Sequence, residues 1–590
     1  AQVRRRNHSA SPLHTWFHTF HQRLRHPTWM AHGQPWEAVE PTPARKKIPN
    51  ENDPLVEKAQ GKSRLCACTG LEALTGLPGW LDQLQQDFGH RLLWLLFIVQ
   101  HLLKGFVTSF VGQADPYLYK SYGVPAPRMQ VFTSITSLPW AMKPVIGLIS
   151  DVFPVFGYNK APYILMSTLF GATAFACVGL LPQGTLSLLG LVMCIFLTNL
   201  QVSTCDLLSE AKYAEKIQTK PASGPNLLTY VWFGLSIGGL VAAMGCGTVI
   251  ETLGPKAPYV IAFVPALAVL WPVLAGYLEE SKLTAEEVQV VRDRFFQQKE
   301  ACALCLIMFM GTVVLTVCGL VYEDPLVNGI VSIVLAVIII ASFSIVLSPV
   351  IAKFNAFSVL QSALSLSTGG ATFYFYTDTP EQYPEGPHFQ PFFFNTVMGI
   401  SGALCTLFGI YCYQRYMQSW RYRHLLLVSN LAFSALCMVD LLMFTRMNVR
   451  MGIPDHVFIL GSSVLESVIA QWMWMPQVVI LSYLCPKGME ATMYALLAGC
   501  ANLGNSIASN IGALLLQALD CRPSGAVGES AQFENLWIAS AVSTILPLGT
   551  IFLIFWLVPD ARQNERIMAT ETDSDATSGS LWRKWTGDGN

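Results

Sequence analysis

The sequence predicts an all-α polytopic membrane protein, and three observations lead there. Over 590 residues, 52% are apolar and only 13% charged, with a mean hydropathy of +0.42, far from the make-up of a soluble domain. Apolar segments of about 20 residues, the length that crosses a bilayer as a helix, recur along most of the chain. Lysine and arginine crowd into alternate connections between those segments, as the positive-inside rule requires of a multi-pass protein.

In order, residues 1 to about 70 are polar and rich in Arg, His, Pro and Gln, without the apolar centre of a cleavable signal peptide. Within them Leu13, Trp16, Phe17, Phe20 and Leu24 recur at helical spacing beside Arg23 and Arg25. That pattern fits an interfacial helix or a disordered tail with scattered aromatics. A second amphipathic stretch, Leu71 to Phe88, leads into the first span. Six apolar segments follow at 92–112, 128–150, 162–181, 184–211, 226–249 and 257–278. After the charged connection Glu279 to Glu300 come two close-set spans, 301–321 and 326–348, joined by the acidic turn Glu323-Asp324-Pro325. Six more lie at 355–377, 391–414, 424–445, 455–484, 489–518 and 534–558. The expected organisation is a tail (1–90), a six-helix half (91–280), a linker with two extra spans (281–352), a second six-helix half (353–560) and a C-terminal tail (561–590).

Lys160, Lys212, Lys216, Lys220, Lys282, Arg292, Arg294, Lys299, Lys353, Arg415, Arg421, Arg423 and Lys487 all fall on one side. Lys120, Arg128, Lys256, Arg446, Arg450 and Arg522 fall on the other. Both termini are therefore expected in the cytoplasm, where the sequon Asn7-His8-Ser9 is unusable.

A net charge of −1 without a basic face argues against nucleic-acid binding. Cys302-x-x-Cys305 and Cys66-x-Cys68 each lack the second ligand pair of a zinc site, so neither a metal nor a cofactor is expected. There is no G-x-x-x-x-G-K-[ST] loop, no H-E-x-x-H and no nucleophilic triad spacing, so neither ATP-driven pumping nor an enzyme is indicated.

The most informative stretch is Leu138 to Tyr163. Lys143 lies eight residues before Asp151, roughly 12 Å inside the helix end. A lysine there either snorkels to the headgroups or is paired inside the membrane. Lys143, Pro144, Gly147, Ser150, Asp151, Gly157, Tyr158, Lys160 and Tyr163 spell K-P-x-x-G-x-x-S-D running on to G-Y-x-K-x-x-Y. Together with Lys104-Gly105, Asp206-x-x-x-Glu210 and the run Gly369 to Thr377, this resembles the folate-biopterin transporter family of the major facilitator superfamily. The likeness covers most of the chain from about residue 90 to 560, excluding the two central helices that not all branches of the family have, and is closest to a protist-like branch that has them. Val152 departs from the superfamily loop signature, where arginine is usual, and extra residues precede Gly157.

The resemblance implies a major facilitator fold of 14 transmembrane helices arranged 6+2+6. It also implies secondary active transport of folate, biopterin or related pteridines by alternating access with proton coupling, in a monomer of the plasma membrane. Alternatives are transport of another solute such as S-adenosylmethionine, drug export, or a pteridine receptor that does not transport. Asp206 and Glu210 stand four apart on one helix face, and Asp206 matches Lys143 in depth when counted back from the cytoplasmic loop, so the two are expected to pair. Glu466 lies roughly 18 Å into its helix. The expected substrate-binding residues are Lys104, Asp206, Glu466, Phe373, Tyr374 and Trp472: cation for an anionic group, carboxylate for pterin N–H donors, aromatics for stacking. Lys143, Asp151 and Glu210 are assigned to coupling or gating. Tyr230, Gly234 and Gly238 in one half echo Tyr494, Gly499 and Gly504 in the other, a weak internal symmetry that helix packing alone also accounts for.

Overall fold

A computed structural model describes residues 70–587 apart from 221–222, 298, 418, 486–489, 564, 566 and 568–575. The expected helix at Leu13–Leu24, the sequon and Cys66-x-Cys68 lie outside the described residues. Those residues are helical with no strand, only isolated bridges between Val155 and Tyr158 and between Arg421 and Arg562.

The helices are α1 (Gly70–Phe88), α2 (His90–Ser121), α3 (Ala126–Ala141), α4 (Lys143–Val152), α5 (Ala161–Leu180), α6 (Leu188–Thr219), α7 (Gly224–Leu253), α8 (Ala257–Leu274) and α9 (Ala285–Gln297). The central pair is α10 (Lys299–Val321) and α11 (Pro325–Val346). Then come α12 (Pro349–Leu364), α13 (Gly369–Thr377), α14 (Phe392–Met417), α15 (Tyr422–Phe444), α16 (Asp455–Tyr483), α17 (Glu490–Ala518), α18 (Ser530–Leu557) and α19 (Leu581–Thr586). Proline, whose missing N–H is no loss in a first helical turn, opens α3, α4, α5, α11 and α12. At α11 the acidic turn also caps the helix, Asp324 accepting from the Leu326 N–H at 2.9 Å.

Eleven helices among the described residues are long and apolar enough to cross a membrane. The other three expected spans differ in kind. One is broken at Met142 into α3 and α4, where Pro144 cannot donate to the Trp140 carbonyl. Another is broken between Leu364 and Gly369 into α12 and α13. The third, α17, carries Asn502, Asn505, Ser506, Ser509 and Asn510. These three pack on one another: α17 lies along α3 and α12, and α13 meets α3. Polar or interrupted backbone at membrane depth is tolerated where protein rather than lipid covers it. Along this seam Asn510 Nδ2 donates to Ser134 Oγ at 3.1 Å, Ser134 Oγ to the Ser506 carbonyl at 3.0 Å, and the Gly370 N–H to Gln130 Oε1 at 3.1 Å.

The central pair closes one flank of the seam. Leu304, Met308, Leu315, Leu335, Ile339 and Phe343 share a core with Leu138 and Val145 from α3–α4 and with Leu496 and Leu503 from α17, while Met310, Val317, Val334 and Val337 on its other face are exposed. Glycines allow the close approaches: a Cβ on Gly319 would meet Ile135, and one on Gly329 would meet Leu514. The glycines expected to mark internal symmetry also stand at close helix contacts. Gly234 and Gly238 seat His101 on α2 against α7, and Gly504 seats Ser362 on α12 against α17.

The described residues fall into two compact units, one of Gly70–Trp94 with Lys212–Phe233, the other of Leu95–Ala211 with the chain from Gly234 onward. Within the smaller, Asp87 accepts from Ser223 at 2.7 Å and lies 3.8 Å from Lys220, and the Tyr230 hydroxyl donates to the Leu93 carbonyl. Everything described below lies within the larger.

Candidate functional site

Asp206 is the centre of the site. On α6 it is fully buried, and its carboxylate accepts from Lys143 Nζ at 2.5 Å, Lys104 Nζ at 2.8 Å and Gln100 Nε2 at 2.9 Å. An ionised carboxylate without partners at such depth would be prohibitively costly; three donors, two of them charged, offset its desolvation. Each donor is placed by a local feature. Lys143 is the first residue of α4, directly after the break at Met142. Its ammonium stands 5.0 Å from the Trp140 ring centroid, and Trp140 Nε1 is anchored on Asn199 Oδ1 at 3.2 Å. Gln100 and Lys104 sit in a π-helical stretch of α2, Phe97–Val107, a wide-turn geometry that recurs at functional sites because it re-aims side chains.

Glu210, one turn beyond Asp206, joins at longer range: 3.7 Å from Lys143 and 3.9 Å from Lys104, with 36% of its side chain exposed against 0% for Asp206. Tyr494 from α17 lies within electrostatic reach of Glu210 and Lys143. Two lysines and two carboxylates on three helices thus form a neutral cluster, open to water on the Glu210 side and sealed on the Asp206 side. Such a cluster can bind a small anion by exchange, or take up a proton and become cationic.

The structure brings together four of the expected residues, Lys104, Lys143, Asp206 and Glu210. Lys104 was expected to face a substrate anion; here Asp206 occupies it. Gln100 and Ser209 escaped sequence reasoning, though Gln100 Nε2 also donates to Ser209 Oγ at 2.8 Å and both are fully buried. Their signal was present: Gln100 stands four before Lys104, and Ser209 three after Asp206.

The remaining expected residues lie elsewhere. Glu466 on α16 faces Asp440 and the Cys437 thiol, which donates at 3.7 Å, and among the described residues no cation is paired with it. Trp472 donates through Nε1 to the Gly409 carbonyl at 3.1 Å, tying α16 to α14. Phe373 and Tyr374 are buried on α13: Phe373 meets the Tyr117 ring edge-on at 4.8 Å, and the Tyr374 hydroxyl donates to the Val124 carbonyl at 2.6 Å. Both aromatic faces are therefore taken up by packing. Beside them Lys120 Nζ binds Asp378 Oδ1 at 2.6 Å and the Thr377 carbonyl at 3.1 Å, with Asp378 fully buried. This second ion pair links the end of α2 to the end of α13.

Asp151 is the penultimate residue of α4, within electrostatic reach of Lys160. The turn after it is held from outside its own sequence. Glu280 accepts from the backbone N–H groups of Asn159, Lys160 and Ala161 at 2.7, 2.8 and 3.0 Å, capping α5, and Arg292 on α9 donates to the Val152 carbonyl at 3.2 Å. Among the described residues no cluster of His, Cys, Asp and Glu could hold a metal ion.

Residues 104–577 match the model of the BT1 family. A protein of Arabidopsis thaliana named probable folate-biopterin transporter is 26% identical over 82% of this chain and 85% of its own length. A folate-biopterin transporter of Synechocystis is 28% identical over 74% of this chain and 76% of its own, and a folate transporter of Plasmodium falciparum is 22% identical over 88% and 97%. Among solved structures, a peptide transporter bound to sulfate superposes with a TM-score of 0.52 at 16% identity, over 78% of this chain and 95% of that one. A D-xylose-proton symporter superposes with a TM-score of 0.50 at 12% identity, over 80% and 97%. At those identities the likeness establishes the fold, that of a major facilitator-like, multi-pass integral membrane protein.

Proposed function

The chain belongs to the BT1 family, and from that premise we propose that it is a secondary active transporter of folate, biopterin or related pteridines, working by alternating access and coupled to protons. The names of its relatives support the substrate class. The observation that carries the reading is the neutral cluster of Lys104, Lys143, Asp206 and Glu210 inside the helical bundle. Ionisable groups at membrane depth are costly and mark substrate or proton paths. In this reading the chain has 14 spans arranged 6+2+6 with both termini in the cytoplasm, and the two halves rock about the seam of α3, α12, α13 and α17. The Lys120–Asp378 pair and the Tyr374–Val124 hydrogen bond then close the external side, while Glu210 reaches cytoplasmic water, an inward-facing state. The turn at Asp151, clamped by Glu280, belongs to the cytoplasmic gate. Glu466 with Asp440 is a second candidate for the proton, and Phe373, Tyr374 and Trp472 become available to a pterin only as the external side opens. The protein works as a monomer in the plasma membrane.

Purified protein in liposomes, given labelled folate, biopterin or S-adenosylmethionine with and without a pH gradient, tests this. Saturable uptake of a pteridine, enhanced by an inward proton gradient, is expected. Binding without flux would make the chain a receptor, and flux of S-adenosylmethionine alone would reassign the substrate.

A further inference from the structure

Asp206 and Glu210 share the same two lysines but hold them differently. Asp206, buried and saturated by donors at 2.5, 2.8 and 2.9 Å, has no room to release them. Glu210 stands at 3.7 and 3.9 Å, an ion-pair separation beyond hydrogen-bond length, and its side chain is 36% exposed. The titratable groups that face it are Asp206 on its own helix, Lys104 from α2, Lys143 from α4 and Tyr494 from α17. Both lysines are thus held closely by Asp206 and loosely by Glu210.

Resting on the transporter reading above, we propose that Glu210 is a built-in competitor for the substrate: a carboxylate of the pteridine takes its place on Lys104 and Lys143 when Glu210 accepts a proton, while Asp206 stays fixed. The charges balance at each step. Two ammonium groups, Asp206 and ionised Glu210 sum to zero; protonation of Glu210 leaves one positive charge; one substrate carboxylate restores neutrality. On release the carboxylate leaves, Glu210 returns its proton to water and re-forms its contacts. A low-dielectric site disfavours any state with unbalanced charge, so proton and carboxylate travel together. A pterin without a carboxylate gains nothing from Glu210 protonation, so biopterin is not coupled through this site.

The test is equilibrium binding of labelled folate and biopterin to the purified full chain between pH 5.5 and 8.5, for wild type, Glu210→Gln and Glu210→Asp. Linkage to one proton weakens wild-type folate binding by up to about tenfold per pH unit above the titration of Glu210, while biopterin binding stays flat. Glu210→Gln loses the pH dependence for folate, and Glu210→Asp keeps it with a displaced midpoint. If Glu210→Gln does not fold, an undisplaced profile in Glu210→Asp overturns the assignment. Wild-type slope persisting in Glu210→Gln also overturns it but leaves the transporter reading intact, whereas absence of folate and biopterin binding in wild type at every pH overturns that reading itself.

Discussion

Replacing Asp206 by Asn should be the most damaging single change in the cluster, because it strands two lysines at once. Breaking a buried ion pair from one side costs about 3–5 kcal/mol. Lys104 and Lys143 keep 19% and 16% exposure and retain Glu210 as a distant partner, which puts the loss near the lower bound, about 3 kcal/mol. Lys143→Met is milder, since Asp206 still holds Lys104 and Gln100 at 2.8 and 2.9 Å; losing one charge-assisted hydrogen bond costs about 1.5–3 kcal/mol. In the double variant Lys104 and Glu210 remain as a balanced pair, so the two substitutions should be coupled by about 0.5–3 kcal/mol, the range for residues in one network. The assay is SDS-driven unfolding in mixed micelles, followed by tryptophan fluorescence for wild type, both singles and the double. Additivity to within about 0.5 kcal/mol, the behaviour of independent sites, would refute the shared-hub account.

At the other end of the bundle, Asp378→Ala should loosen the link between α2 and α13. An introduced Ser506→Cys in the seam should then react with an external, membrane-impermeant thiol reagent about tenfold faster, the effect of roughly 1.4 kcal/mol on the opening equilibrium. A Cβ on Gly370 would stand 2.5 Å from the Ala126 carbonyl oxygen, so Gly370→Val should destabilise by about 1–3 kcal/mol or more through overpacking, read by the same unfolding assay. Hydrogen bonds from the Thr284 backbone N–H and hydroxyl hold the Glu287 carboxyl below its ordinary pKa at the start of α9. Its contribution to the helix should be complete above the unfolded-state value and lost as the pH falls through the lower folded value, visible as faster amide exchange in Ala285–Gln297 that Glu287→Ala reproduces at neutral pH.

Much of this was legible in the sequence because membrane spans announce themselves by length and apolarity. The three expected spans that depart from that signal, α3–α4, α12–α13 and α17, are the ones that pack on each other, so protein supplies what apolar side chains supply elsewhere. The depth count brought Lys143 to Asp206 but missed Lys104. Its error is physical: α6 continues to Thr219, well past the expected end at 211, so Asp206 lies 13 residues from its end, roughly 20 Å, deeper than the count from the loop placed it. Gln100 escaped although it stands four residues before Lys104, because an uncharged amide stands out less than a charge in an apolar helix. Phe373 and Tyr374 read equally well as a stacking surface or as packing, and only the position of Val124 and Tyr117 distinguishes the two in this conformation. Glu280, which holds the Asp151 turn, lies some 120 residues away in the chain, a distance at which sequence pattern is silent.

The central claim is that the lysines of this cluster recognise the negative end of a folate. It is tested most directly by equilibrium binding of labelled folate and biopterin to wild type and Lys104→Ala. A charge-assisted hydrogen bond of about 1.5–3 kcal/mol predicts roughly 10- to 100-fold weaker folate binding, with biopterin little changed because it has no glutamate tail. Equal losses for both ligands would contradict the account and leave Lys104 as no more than a structural partner of Asp206.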